Sequence, residues 1–264
     1  MTVVLATAWR PRGEMLRFQR LLPELQRTYC GLALSLPPDV GRTILDALYA
    51  LPGIEVVITP DWSWGRHLAL QASLGSEATH VHYADFDRLL RWVETRPGEW
   101  QRTLTAIQQV DCLVIGRTDD AYRTHPRALV ETEAISNLVT SYLIGQSLDA
   151  SAGSKGFSRR AVEFLMAHCQ PGRALGADAD WLVTLHRGGF AIDYLQVDGL
   201  DWESADRFQE QAADGHSQSQ AAQAYDRDPE HWSQRLAIAL EIVESGIEAM
   251  KKEIESTKDT KGKT

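Results

Sequence analysis

The sequence predicts an α/β fold: a mostly parallel, Rossmann-like sheet with helices on both faces, followed by a long C-terminal helix. Three observations support this reading. Short apolar, β-branched runs alternate with segments of helical period over residues 2 to 200. Prolines and glycines punctuate the junctions between them. Finally, Trp232, Leu236, Leu240, Val243, Ile247, Met250 and Ile254 step by three or four and place one apolar stripe along a helix.

The elements follow in order. Thr2 to Trp9 is apolar without helical period and reads as a buried strand; Leu16, Leu21, Leu22 and Leu25 then mark a helix over Glu14 to Thr28. Cys30 to Leu36 is a second strand stopped by Pro37-Pro38, and Thr43 to Leu51 a helix ended by Pro52-Gly53. Ile54 to Thr59 is the third strand, His67 to Leu74 a short helix and Thr79 to Ala84 the fourth strand. A helix over Glu99 to Gln109 leads into the strand Cys112 to Ile115. Asp119 to Arg127 reads as a polar loop, Leu129 to Ile144 as a helix, Gly153-Ser-Lys-Gly156 as a turn and Ser158 to His168 as a helix. Asp178 to Arg187 is helical and Phe190 to Val197 a strand. The resulting division is a domain over 1–205, a mobile loop or linker over 206–228, an amphipathic helix over 229–257 and a disordered tail over 258–264. Asp228-Pro229-Glu230 supplies the start of that helix, whose stripe packs on the domain or on a second copy in a homodimer, with a membrane surface as the alternative.

Composition narrows the function. The 264 residues are 44% hydrophobic and 24% charged, ordinary globular values. A formal charge of −9 argues against a protein that grips a nucleic-acid backbone, so any phosphate binding is local. Cys30, Cys112 and Cys169 lack C-x-x-C spacing and suit buried thiols in a reducing cytosol. No apolar run reaches the ~18 residues of a membrane span, and Val3 to Ala8 is too short for a signal-peptide core. The expectation is a soluble, cytoplasmic protein without an integral membrane segment.

The stretch His80-Val-His-Tyr-Ala-Asp-Phe-Asp87 is the most informative. Two residues apart on extended chain, Asp85 and Asp87 share a face at the carboxyl edge of the sheet, where open α/β sheets bind ligands. Paired carboxylates are costly to keep ionised without a cation, and oxygen ligands of this kind suit Mn²⁺ or Mg²⁺. The alternative is a solvated loop with a helix-capping Asp.

Five segments in order resemble the GT-A glycosyltransferases, family 2-like enzymes of the dolichyl-phosphate-mannose-synthase type. They are the strand Val3 to Trp9, Asp85-Phe-Asp87, Val110-Asp-Cys-Leu-Val-Ile-Gly-Arg117, Asp149 to Arg159, and Ala177-Asp-Ala-Asp-Trp-Leu-Val-Thr-Leu-His-Arg-Gly-Gly189. The resemblance implies a nucleotide-sugar-binding catalytic domain that takes a UDP- or GDP-linked sugar as donor. It implies that Asp87 holds the divalent metal with Asp85, that Asp85 faces the donor, and that Ala6, Thr7 and Trp9 line the donor site. Asp178 stands in the place of the catalytic base, with Asp180 as competitor, because Ala177 replaces the family's Glu. Arg117, which follows a strand at the ligand edge, is a phosphate candidate, as are Arg159 and Arg160 more weakly. Lys155, the only lysine before residue 251, is either an exposed loop lysine or a contact of the diphosphate or an acidic acceptor. Trp62, Trp64, Trp181 and Trp202 are stacking candidates, and Glu133 with Asn137 a candidate sugar contact. The Gln-x-x-Arg-Trp motif of processive synthases is absent, and the stretch after Arg207 could act as a lid.

Two other readings stay open. His80-x-His82 with Asp85 and Asp87 could hold Zn²⁺ or a metal pair in a hydrolase, although the histidines lie upstream of the strand end. A sugar-nucleotide-binding protein without turnover is the second.

Overall fold

The computed structural model describes residues 2–203 and 208–254; residues 1, 204–207 and 255–264, and with them the end of the expected helix and the tail, lie outside the described residues. The chain runs β1 (Val3–Ala8), α1 (Met15–Thr28), β2 (Leu32–Leu36), α2 (Arg42–Tyr49), β3 (Ile54–Ile58), α3 (Gly65–Ser73) and β4 (His80–Ala84). It continues with α4 (Phe86–Thr95), α5 (Pro97–Ile107), β5 (Cys112–Arg117), α6 (Asp119–Arg123), α7 (Arg127–Ile144), β6 (Ser154–Ser158) and α8 (Arg159–His168). The last elements are α9 (Ala177–Arg187), β7 (Ile192–Val197), α10 (Gly215–Asp226) and α11 (Pro229–Lys251).

The strands form a seven-stranded sheet in the order β3-β2-β1-β4-β6-β5-β7. β6 alone runs antiparallel, between β4 and β5. One core cluster lies under α1, α4 and α5 around Phe18, Leu89, Trp92 and Trp100; the other lies under α3, α8 and α9 around Tyr83, Phe157 and Trp181. The α/β class with a mostly parallel sheet is therefore the observed one.

Four local expectations are corrected. The Gly153–Gly156 turn is part of β6, whose backbone completes the sheet although its sequence lacks an apolar run. Gly156 is required there because a Cβ would collide with Ile107 of α5. The polar loop after β5 contains α6, whose Thr118 side chain accepts from Ala121 N. Residues 86–95, unassigned from the sequence, form α4, with Phe86, Leu89, Leu90 and Val93 on its buried side. The stretch expected as a mobile loop or linker over 206–228, of which 208–228 are among the described residues, holds α10, capped by Asp214 through Ser217 N, and buries Ala221 and Ala222. Its small, polar composition conceals it because it covers only a small cluster with Leu129 and Trp202.

A buried ion lattice fixes the segment that leads to α10. Arg91 donates to both Asp201 oxygens at 2.8 Å and to Glu203 at 2.7 Å, while Arg17 pairs with Glu94 at 2.9 Å and with Glu203. Asp226, at the end of α10, accepts from the backbone of Arg127 and Ala128 and so caps α7, whose own first residues offer no side-chain cap.

α11 turns inward a face of small residues that neighbours the stripe, and leaves most of the stripe's large side chains outside. Ala239, Ile242, Ser245, Gly246 and Ala249 are buried, while Leu236 and Leu240 are 55% and 56% exposed and Ile247 and Met250 about 40%. Small residues win the inner face because they allow close approach: a Cβ on Gly246 would sit 3.0 Å from Leu143 of α7 and 3.1 Å from Ala179 of α9. The large apolar side chains are left outside, as are Ile135, Leu138 and Tyr142 of α7, the helix on which α11 packs.

Candidate functional site

The sheet order reverses between β1 and β4: β2 and β3 extend to one side of β1 and the later strands to the other. Such a switch point opens a crevice at the carboxyl ends of the strands. A cleft of about 680 Å³ occupies it, bordered by Trp9 after β1, Pro37 after β2, Asp85 and Asp87 after β4, Asp178 of α9 and Arg235 of α11.

Asp85 and Asp87 both face this cleft, but not from extended chain. Asp85 is the residue that precedes α4 and Asp87 lies in its first turn. The common use of such an Asp, capping the helix, is not made: the Asp85 side chain bonds no α4 backbone N–H. Its carboxylate instead receives Arg66 Nη2 at 3.0 and 3.3 Å and Tyr83 Oη at 3.3 Å. Gly153, in the left-handed region at φ +75°, is needed here, since a Cβ would occupy the space of Asp85 Oδ2. Asp87 accepts only the neighbouring Arg88 N, at 2.8 Å, and forms no ion pair among the described residues. Burial pushes its carboxyl above the usual range and the Asp85 charge adds to this, with Arg88 opposing. A half-buried carboxylate pair of this kind is what a hard divalent cation stabilises, so the donor set fits Mg²⁺ or Mn²⁺. Among the described residues no cluster of three His, Cys, Asp or Glu side chains could hold a metal by itself.

Behind the pair runs a chain of buried charge. Arg66 Nη1 lies 2.8 Å from Asp178 Oδ1, and Lys155 Nζ reaches the same oxygen at 2.5 Å while donating to Ala150 O at 2.9 Å. Burial alone would raise the Asp178 pKa; the two cations outweigh it and hold the carboxyl below its usual range. Asp178 also sits in the first turn of α9, where the helix dipole favours negative charge.

Other expected site residues lie elsewhere. Ala6 is in the core cluster under α3, and Thr7 ties β1 to β4 through a 2.6 Å bond to Ala84 O. Trp9 borders the cleft, but its ring packs on Phe18 and Phe86 and its N–H donates to Glu14 at 2.6 Å. The Arg117 guanidinium is wholly buried, paired with Asp149 at 2.7 Å and Glu133 at 2.8 Å. Lys155 is buried beneath Asp178 rather than exposed. Asp180 points away to Lys252 Nζ at 2.5 Å, which pins the end of α11. Arg159 and Arg160 serve Leu74, Ser76 and Asp111 at the far end of the sheet. Of the tryptophans, Trp181 is core and Trp202 is 6% exposed, whereas Trp62 stands 63% exposed on the cleft rim. Glu133 reaches the cleft; Asn137 is spent on Asp149 and Ser151.

The His80–His82 metal site is not formed. His82 is fully buried between Tyr29 Oη at 2.6 Å and Ser154 Oγ at 2.9 Å, and burial pushes its pKa down to about 3. His80 begins β4, at the opposite end from Asp85, and bonds Thr79 Oγ1.

The residues that sequence reasoning missed are Arg66, Tyr83, Arg88 and the wall supplied by Tyr225, His231 and Arg235. Arg66 falls one position before the helix expected from His67. The wall belongs to the stretch read as mobile and to the inner side of α11. His231 stacks on Tyr225 at 3.8 Å and Arg235 Nε donates to the Tyr225 hydroxyl at 3.3 Å.

No protein-family model matches the sequence and no curated protein matches it. Its structure is similar to solved ones. Glucosyl-3-phosphoglycerate synthase of Mycobacterium tuberculosis superposes with a TM-score of 0.57 at 16% identity, covering 96% of this chain and 82% of that one. The same synthase in complex with Mn²⁺, UDP-glucose and phosphoglyceric acid gives 0.56 at 14% identity, covering 96% and 81%. At such identities the likeness is one of fold, and the fold is GT-A. No helix among the described residues is long and apolar enough to cross a membrane.

The His82 environment has a pH consequence. A histidine buried neutral, with its folded pKa depressed to about 3, takes up a proton more readily when unfolded, so its stabilising contribution is complete above pH ~6.5 and is lost as the pH falls towards 3. Between pH 6 and 4 the wild type should lose up to ~1.4 kcal/mol per pH unit through this residue, and His82→Gln should show a correspondingly shallower slope in urea unfolding. Equal slopes would contradict the assignment.

Proposed function

We propose that this GT-A chain is a glycosyltransferase that moves a sugar from a UDP- or GDP-linked donor to an acceptor hydroxyl, with Mn²⁺ or Mg²⁺ held at Asp85 and Asp87. The observation that carries this reading is the carboxylate pair at the switch-point cleft, one member of which forms no ion pair among the described residues. A synthase of the same fold crystallised with Mn²⁺ and UDP-glucose supports it. In this reading the nucleoside lies along Ser35, Pro37 and Thr59, and the diphosphate lies over Asp85 and Asp87. The bound ion supplies charge neutralisation to the departing nucleoside diphosphate. Asp178, kept ionised by two cations, is a weak proton acceptor, and its part here is to orient Arg66. Arg88 and Arg235 line the acceptor side of the cleft, which favours a hydroxyl acceptor that carries a carboxylate or phosphate. Asp178, Glu14, Glu133 and Glu203, the other cleft carboxylates among the described residues, are all held by hydrogen bonds or ion pairs, which also favours a second reading, a protein that binds the donor without turnover; product formation separates the two.

The outer face of α7 and α11 supports self-association. Ile135, Leu138 and Tyr142 of α7 and Leu236, Leu240, Ile247 and Met250 of α11 are large apolar side chains left between 39% and 77% exposed on two helices that pack on each other. An overall charge of −9 disfavours an anionic membrane surface as the occupant. The occupant in this reading is a second copy, so Leu240→Glu should convert a dimer to a monomer in light scattering; a monomeric wild type at tens of micromolar would contradict it.

The nucleotide site is tested by calorimetry with UDP and GDP, each with and without Mn²⁺. Micromolar binding of one nucleotide only with the metal is the expected result. Asp87→Ala should abolish that binding and melt within a few degrees of the wild type. Unchanged affinity in this variant would remove Asp87 from the site.

A further inference from the structure

Resting on the donor-site reading above, we infer that Arg66 is a resident counter-ion that a divalent cation displaces from Asp85, so that metal and nucleotide bind as a coupled pair. Arg66 is 8% exposed and holds both sides of the site at once, with Nη2 within 3.0 and 3.3 Å of the two Asp85 oxygens and Nη1 2.8 Å from Asp178. The Asp85 carboxylate has little freedom to turn to a metal while keeping that contact. Gly153 closes on one of its oxygens and the Tyr83 hydroxyl donates to the other.

Charge gives the sign of the coupling. Around Asp85, Asp87 and Asp178 stand Arg66, Arg88, Lys155 and Arg12, so the three carboxylates are already compensated. A divalent cation arriving alone leaves this partly buried set with excess positive charge and competes with a guanidinium for Asp85. The diphosphate removes both penalties, because its oxygens ligate the ion and accept from the N–H that Arg66 no longer gives to Asp85. Lys155 keeps Asp178 compensated throughout, since its bond to Asp178 does not involve Asp85. Arg66 is accordingly a positioning residue in this inference, and its loss has opposite effects on the two ligands.

The test is calorimetric titration of the full chain with Mn²⁺ alone and then with Mn²⁺ in the presence of UDP or GDP. Wild type should bind Mn²⁺ weakly alone and more tightly with the nucleotide, and the nucleotide should gain by the same factor from Mn²⁺. Arg66→Met should bind Mn²⁺ alone about tenfold more tightly than wild type, within the usual range of coupling, while the tightening by nucleotide shrinks. A residue that merely supports the fold would lower both affinities. Arg66→Gln removes the charge but keeps hydrogen bonding to the carboxylates, so it should show the same direction of change if the Met variant does not fold. An unchanged or weaker Mn²⁺ affinity in a folded variant, beside normal metal-dependent nucleotide binding in the wild type, overturns this inference and leaves the donor-site reading intact. No nucleotide binding in the wild type overturns both.

Discussion

Lys155, Asp178, Arg66 and Asp85 form a line of alternating charge through the middle of the molecule, and the cleft owes its shape to it. Each charge taken from water alone would cost several kcal/mol, so each requires the next. Their elements are β6, α9, α3 and the end of β4; β4 and β6 share a ladder, whereas α3 and α9 reach them through packing and these charges. Satisfying the line brings the start of α9 and the start of α3 to the carboxyl edge of β4, and that convergence closes the back of the cleft.

The antiparallel β6 makes this possible. Because it lies between β4 and β5, its central residue Lys155 is opposite Tyr83 on one side and Val114 on the other. An ammonium there has no route to water, and Asp178 is the carboxylate within reach. The front of the cleft rests on a second set of buried ions, Arg17 and Arg91 with Asp201 and Glu203, which lead the chain back towards α10 and α11. The back and the front of the cleft are thus set by separate ion groups, and Arg88 at the start of α4 and Arg235 on α11 both line it.

The parallel strands were legible because fully buried strands are written as apolar runs: Leu32–Leu36 and Cys112–Arg117 are buried throughout, and Val3–Ala8 up to its last residue. Asp85 and Asp87 were legible as a pair at a strand end. Their helical setting was not, since an Asp at a strand end reads equally as loop or cap. β6 was hidden because Ser-Lys-Gly-Phe-Ser satisfies burial with an ion pair instead of an apolar side chain. α10 was hidden because its partners are small. The stripe on α11 was legible as a stripe, but not which way it faces: close helix packing set Ala239, Gly246 and Ala249 against the domain and left Leu236 and Leu240 outside. Arg117 and Lys155 sit next to ligand-edge motifs in sequence, yet their carboxylate partners, Asp149, Glu133 and Asp178, arrive from distant segments that only the fold brings together.

The account depends most on the cleft between β1 and β4 being a nucleoside diphosphate site. A crystal structure of the chain grown with Mn²⁺ and UDP tests it most directly. The ion should lie on Asp87 and Asp85 with diphosphate oxygens completing its shell, and the Arg66 guanidinium should have left Asp85. An ordered nucleotide bound outside this cleft, or an ion remote from Asp87, would contradict the account.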